Sequence, residues 1–257
     1  MRIVIKIGTS TLTHPTGELN IRRTEELCKI ISDIKNSGDE IIIVSSGAIG
    51  MGAAKLSLPG RPQDITTKQA AAAVGQCELM YRYDRLFAEY HHNVAQILLT
   101  GTDFQNEERH CNFTNTIGRL LELNALPIIN ENDTIATDEI KVGDNDTLSA
   151  LVSVSVSADL LILLSDIDGL FTSDPHKDPN AVLISEISDL NDGIIALGGD
   201  SSSGLGTGGM RTKLYAADLC MKGGCDMVIA NGSTPSILYD IVRGVTSKCT
   251  RFIAKRN

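Results

Sequence analysis

The chain has 257 residues, 42% of them hydrophobic and 21% charged. That balance is ordinary for a globular domain and excludes a disordered or fibrous chain. With 23 Lys plus Arg against 32 Asp plus Glu, the formal net charge is -9, the wrong sign for general affinity to nucleic acid or anionic lipid.

The first residues, Met1 to Lys6, lack the apolar run of a signal peptide and lead straight into a predicted strand at 3–7. A lone lysine, Lys6, sits inside that strand before the turn Gly8-Thr9-Ser10. A charge inside a buried strand costs several kcal/mol unless it is paired. Two readings are therefore open: Lys6 meets an anion such as Asp146 or a bound phosphate, or the strand is an edge from which Lys6 reaches water. A helical pattern over 24–35 and a strand at 41–45 follow. That strand runs into Val44-Ser45-Ser46-Gly47-Ala48-Ile49-Gly50-Met51-Gly52. Its glycines would let backbone N–H groups approach an oxyanion, or would simply make a tight turn with packing glycines.

Helical spacing over 68–90, a strand at 94–99, a helix over 115–123 and a strand at 126–129 come next. The fourth strand ends in Asn130-Glu131-Asn132-Asp133-Thr134. Residues 135–142 read as an extended segment, a hairpin inserted before Gly143-Asp144-Asn145-Asp146-Thr147. The latter group opens a helix over 147–157 and is expected to give one of residues 144–146 to capping. Two clusters of carboxylates and amides suit a zwitterionic amino acid, with an acid for its ammonium and amides for its carboxylates. Neither has the ligand spacing of a calcium loop.

A buried strand at 160–164 ends in Ser165-Asp166-Ile167-Asp168-Gly169, a position suited to nucleotide contacts. Gly204, Gly206 and Gly209 match GxGxxG, yet no strand precedes them, so the dinucleotide reading fails its structural test. What remains is a phosphate-covering loop leading into a helix over 211–221, whose Lys213 would reach back to the same phosphates. The last strand falls at 227–230. Lys248, Arg251, Lys255 and Arg256 then read as a solvated terminus. Strands alternating with helices imply one continuous, mostly parallel sheet covered on both faces. The six cysteines, without a CxxC, read as reduced and mostly buried thiols, and the expected location is the cytoplasm.

Taken together, IKIGTS at 5–10, VSSGAIGMG at 44–52, INENDT at 129–134, EIKVGDND at 139–146, LLSDIDGLF at 163–171 and SGLGTGGMRTK at 203–213 resemble, in content and order, the amino-acid kinase family. Within it they are most similar to the branch acting on free L-glutamate. The resemblance implies a three-layer α/β/α sandwich with a mainly parallel central sheet, the carbamate-kinase-like fold, as a single domain over 1–257. Residues to about 150 would hold the amino acid, and about 151–257 would hold ATP. It also implies transfer of the γ-phosphoryl group of MgATP to the glutamate side chain, the first step of proline biosynthesis. Feedback inhibition by proline and a homo-oligomer are further implications. Many relatives carry a C-terminal PUA domain, of a type associated with RNA binding, for which this sequence has no room.

By position in these motifs, Lys6, Lys213 and Asp146 are the implied catalytic groups. Ser46, Gly47, Asn130, Asp133, Asp144 and Asn145 fall on the glutamate side. Lys6, Gly8, Ser165, Asp166, Thr207, Gly208, Gly209, Met210, Arg211, Thr212 and Lys213 fall on the nucleotide side, and no protein ligand for Mg2+ is assigned. A glutamate side chain, with a pKa of about 4.3, is already ionised at neutral pH and needs no catalytic base. None of the five histidines lies in a candidate loop. The rivals are sister kinases for aspartate, acetylglutamate, carbamate or UMP, and a catalytically dead sensor of nucleotide and amino acid.

Overall fold

The computed structural model describes residues 1–14, 18–60, 62–136, 145–175, 177–199, 209–245 and 248–255. The chain opens with β1 (Arg2–Ile7), the one-turn α1 (Thr9–Leu12), α2 (Ile21–Asn36), β2 (Glu40–Ser45), α3 (Ala48–Lys55) and the long α4 (Ile65–Ala88). Next come β3 (Val94–Leu99), α5 (Gly101–Gln105), α6 (Glu107–Glu122), β4 (Leu126–Glu131), α7 (Asn145–Ser155) and β5 (Leu160–Ser165). The remainder holds β6 (Glu186–Ile187), α8 (Asp192–Ala196), α9 (Met210–Lys222), β7 (Asp226–Asn231), α10 (Ile237–Val242) and β8 (Cys249–Phe252).

Among the described residues the strands form one sheet, ordered β3-β4-β2-β1-β5-β7-β8-β6. From β3 to β7 every pairing is parallel; β8 then runs antiparallel to β7, and β6 pairs with β8. The six main strands match the sequence expectation because each is a short Ile/Val/Leu run, and most are buried on both faces. Alternation along them separates two cores. Val4, Ile42, Val44, Ile129, Leu161 and Leu163 pack towards α6, α7 and α9. Ile3, Ile5, Ile41, Ile43, Ile128 and Ile162 pack towards α2, α4 and α10. Helices on both faces of a mainly parallel sheet make the three-layer sandwich. Each fully buried aliphatic side chain contributes about 2 kcal/mol of transfer free energy to it.

Four expectations need correction. The helical pattern over 115–123, which is α6, begins earlier, at Glu107, because the polar run Glu107 to Asn112 hid the start; Asn106 caps it by accepting from Arg109 N at 2.9 Å. Ile135 is not extended but lies in a turn, with its N–H and that of Ala136 donating to Asn132 O at 3.1 and 3.0 Å; residues 137–142 lie outside the described residues. Arg251 is not part of a solvated tail. It sits in β8 and pairs with the buried Asp226 at 3.1 Å, whose other oxygen accepts from Ala254 N at 3.0 Å. The cysteines are all free, but only Cys28, Cys220 and Cys225 are buried, while Cys77 and Cys111 are exposed.

One packing detail fixes the layer behind the site. Helices α3 and α4 cross with their backbones in contact. A Cβ on Gly52 would stand 1.7 Å from Ala71 O, and one on Gly75 would stand 1.7 Å from Ala48 O. Only hydrogen fits at either position. Among the described residues no helix is long and apolar enough to cross a membrane.

Candidate active site

Strand order reverses at β1, which leads to β2 on one side and pairs with β5 on the other. In an open parallel sheet the crevice at such a reversal, outside the carboxyl ends of the strands, is where ligands bind. Lys6 shares the face of Val4, which turns towards α7 and α9. Both helices answer it. Lys6 Nζ lies 2.6 Å from Asp146 Oδ1 at the start of α7, and Lys213 Nζ, one turn into α9, lies 3.0 Å from Asp146 Oδ2. Thr212 Oγ1 donates to the same Oδ2 at 3.1 Å and to Gly209 O at 2.8 Å. Because β1 is interior to the sheet and Lys6 is only 9% exposed, the edge-strand alternative does not apply.

Two ammonium groups around one carboxylate leave the cluster with a net positive charge. Asp146 is fully buried and Lys213 nearly so. Burial alone would raise the Asp146 pKa. The two lysines outweigh it and hold the carboxyl at about 2, so it stays ionised at neutral pH. Buried cations are costly unless they are neutralised, and an anion arriving at the two ammonium groups would add to the neutralisation that Asp146 gives. Beside them, Gly8 N points to Leu164 O at 3.4 Å, prolonging the β1–β5 ladder. A Cβ on Gly8 would stand 3.6 Å from Lys6 Nζ and 3.3 Å from Leu164 O. The glycine therefore keeps the space next to the ammonium open.

The neighbouring residue, Asn145, joins this cluster to a second one. Its Nδ2 donates to Ser45 O at 3.1 Å, Ser46 Oγ at 2.7 Å and Asn130 Oδ1 at 3.1 Å. The ends of β2 and β4 are thereby tied to the first turn of α7. Gly47 adopts φ 109°, a left-handed conformation that favours glycine, and so turns the chain from β2 into α3. Asp133 is half-buried in the turn after β4. Asp144 lies outside the described residues.

On the other side of β1, Ser165 Oγ donates to Asp166 Oδ1 at 3.1 Å, and Ser165 O accepts from Gly232 N at 2.8 Å. Asp166 is exposed. Asn231 Nδ2 donates to Asp168 Oδ1 at 2.9 Å, closing the rim between β5 and β7. Gly209 is the N-cap of α9, Met210 packs against the core below it, and Arg211 is exposed. Thr207 and Gly208 lie outside the described residues.

The structure thus gathers Lys6, Asp146, Thr212 and Lys213 into one group, and Ser46, Asn130 and Asn145 into another. It also adds residues that motif reading passed over. Gln76 Oε1 accepts from Asn130 Nδ2 at 2.9 Å, and the Tyr83 hydroxyl lies 2.8 Å from Ser45 Oγ. Both come from α4, which carries no glycine-rich or acidic motif. The signal available was a polar residue on the apolar stripe of a helix, seven residues from a tyrosine.

A family model described as "Amino acid kinase family" matches residues 1–231. A protein named glutamate 5-kinase from Clostridium perfringens is 49% identical over 99% of this chain and 96% of its own length. One of the same name from Listeria innocua is 51% identical over 95% of this chain and 90% of its own length. Among solved structures, a carbamate kinase from Giardia lamblia bound to AMP-PNP superposes with a TM-score of 0.69, at 18% identity over 99% of this chain and 98% of that one. An isopentenyl phosphate kinase from T. acidophilum gives 0.65, at 18% identity over 98% and 100%. Likeness at that identity speaks for the fold alone. Identity near one half across almost the whole length, together with the family match, goes further: the chain belongs to the amino acid kinase family, among relatives that bear the name glutamate 5-kinase.

Proposed function

We propose that this chain is a glutamate 5-kinase, which transfers the γ-phosphoryl group of ATP to the side-chain carboxylate of L-glutamate and releases L-glutamyl 5-phosphate and ADP. That reaction is the first step of L-proline biosynthesis. The observation that carries the reading is the buried Lys6–Asp146–Lys213 bridge at the strand-order reversal. Two anions must meet in this reaction, and their repulsion is the main obstacle. A carboxylate oxygen bonds to the γ-phosphorus, the bond to the β,γ-bridging oxygen breaks, and its electron pair leaves on ADP. No proton has to move, in keeping with a site built from cations rather than a general base.

Lys6 and Lys213 bear on the phosphoryl oxygens from two directions, with Asp146 fixing both ammonium positions. Glutamate is received among Ser46, Gly47, Asn130, Asp133 and Asn145, at the ends of β2 and β4 and the start of α7, and Asp144, outside the described residues, is assigned the same role. Ser165, Asp166 and Gly209 to Lys213 are assigned to the nucleotide, and Thr207 and Gly208, outside the described residues, are given the same role; the acceptor then occupies the part up to about residue 150 and ATP the part from about 151. Among the described residues no group of three His, Cys, Asp or Glu side chains is placed to hold a metal. Mg2+ would be held chiefly by the triphosphate, whose hard oxygen donors it prefers, and would supply further charge neutralisation there.

The test is ADP release measured across L-glutamate, N-acetylglutamate, aspartate, carbamate and UMP. Turnover should be at least about a hundredfold higher with L-glutamate than with any other acceptor, because amides and acids placed for a free ammonium reject N-acetylglutamate, carbamate and UMP, which lack it, and the shorter side chain of aspartate holds its carboxylate short of the phosphoryl group. Preference for another acceptor, or none above the acceptor-free rate, would overturn the reading.

A further inference from the structure

We infer that α4 positions the amino-acid acceptor from behind, with Gln76 and Tyr83 as positioning residues for the substrate-side network. Gln76 and Tyr83 are seven apart, close to two helical turns, and so share one face of α4. That face packs against the sheet layer from which Ile41, Ile43 and Ile128 project, and strand alternation puts Ser45 and Asn130 on the same side. Here, within an apolar layer, each of the two polar residues of α4 meets one of these strand-end residues.

The chemistry of the contacts gives them a purpose. Asn130 has one amide, and its two ends are used differently: Oδ1 accepts from Glu131 N at 2.9 Å and from Asn145 Nδ2 at 3.1 Å, while Nδ2 donates to Gln76 Oε1 at 2.9 Å. If the Asn130 amide flipped, its NH2 would face two other donors. Gln76 supplies the acceptor that holds it the right way round. Gln76 is itself buried, and its Nε2 reaches Gln96 Oε1 on β3 at 3.5 Å.

Tyr83 does the same for β2. The Tyr83 hydroxyl lies 2.8 Å from Ser45 Oγ and can give it its proton while Ser45 Oγ reaches Ser46 O at 3.1 Å. Complete burial raises the Tyr83 pKa and keeps that proton in place. Asn145 Nδ2, which bridges Ser45 O, Ser46 Oγ and Asn130 Oδ1, is thus set by both contacts. The Gly52–Gly75 backbone crossing holds α4 at the depth these contacts need. Tyr83 packs on the face of the sheet opposite the one that carries Lys6, α7 and α9, so the influence of this layer falls on the acceptor and not on ATP.

This inference rests on the acceptor lying at the ends of β2 and β4. Steady-state kinetics of Gln76→Leu should show the glutamate KM raised about tenfold or more, with the ATP KM and kcat within about twofold of wild type. Gln76→Glu, which keeps an acceptor oxygen for Asn130 Nδ2, should return the glutamate KM to within about threefold. Tyr83→Phe should raise it about threefold to tenfold, again without moving the ATP KM, and it carries the decision if Gln76→Leu does not fold. A folded Gln76→Leu or Tyr83→Phe with an unchanged glutamate KM, or with both KM values raised alike, would overturn the inference. Failure of the wild type to turn over glutamate at all would instead overturn the function reading. The two failures are therefore distinct.

Discussion

Asp146 concentrates the electrostatics of the site in one side chain. It is fully buried, bridges Lys6 and Lys213, and is held at about 2. Because the folded pKa lies below the unfolded value of about 3.9, the ionised carboxylate stabilises the fold above about pH 4, and this contribution is lost as pH falls through about 2. A depression of this size corresponds to roughly 2–3 kcal/mol. Asp146→Asn should therefore be about 3 kcal/mol less stable than wild type in urea unfolding at pH 7, with two buried ammonium groups deprived of this carboxylate. The gap should narrow by roughly 2 kcal/mol between pH 5 and pH 2. A gap independent of pH would show that the carboxylate is not ionised against the lysines. That Lys6 either takes an anionic partner or reaches water from an edge strand was legible from its place in an apolar strand. Which partner it takes was open, because a phosphate would satisfy the same demand. Only the packing of α7 and α9 over β1 selects Asp146.

At the scale of elements, α4 shows where motif reading runs out. Its length and helical spacing were plain, but its face was ambiguous between core and subunit interface, since alanines and aromatics suit either. The structure resolves this with two glycines that lie against the backbone of the facing helix, Gly52 on Ala71 O and Gly75 on Ala48 O. Gly75→Ala would drive a methyl group into a carbonyl oxygen and force α3 and α4 apart. A loss of about 3 kcal/mol or more in thermal or urea unfolding is expected, whereas Gly→Ala at an exposed helical position stabilises by up to about 1 kcal/mol. Stability equal to wild type would show that the helices separate at no cost. The strand β8 went unread for a different reason. It has four residues, two of them charged or small and polar, and its role depends on Asp226 receiving Arg251 and Ala254 N. Such a pairing is a property of the neighbour, not of the segment.

Across the whole molecule, the sheet was legible because each parallel strand is a self-contained apolar run, and the strand-order reversal follows from β1 lying between β2 and β5. The reversal brings residues near 6, 46, 130, 146 and 213 to one edge, although more than 200 positions separate the first from the last. Spacing in the sequence carries none of that proximity; it comes from the right-handed return of successive β-α-β units over a twisted sheet. The central claim is that the lysine pair draws a phosphoryl group onto the side-chain carboxylate of glutamate. Its most direct measurement traps the acyl phosphate with hydroxylamine, in the presence of MgATP and L-glutamate, and identifies the hydroxamate by mass spectrometry. Wild-type protein should yield the side-chain hydroxamate in step with ADP, and Lys6→Ala should yield about a hundredfold less. ADP formed without hydroxamate, or a Lys6→Ala protein that forms it at the wild-type rate, would contradict the claim.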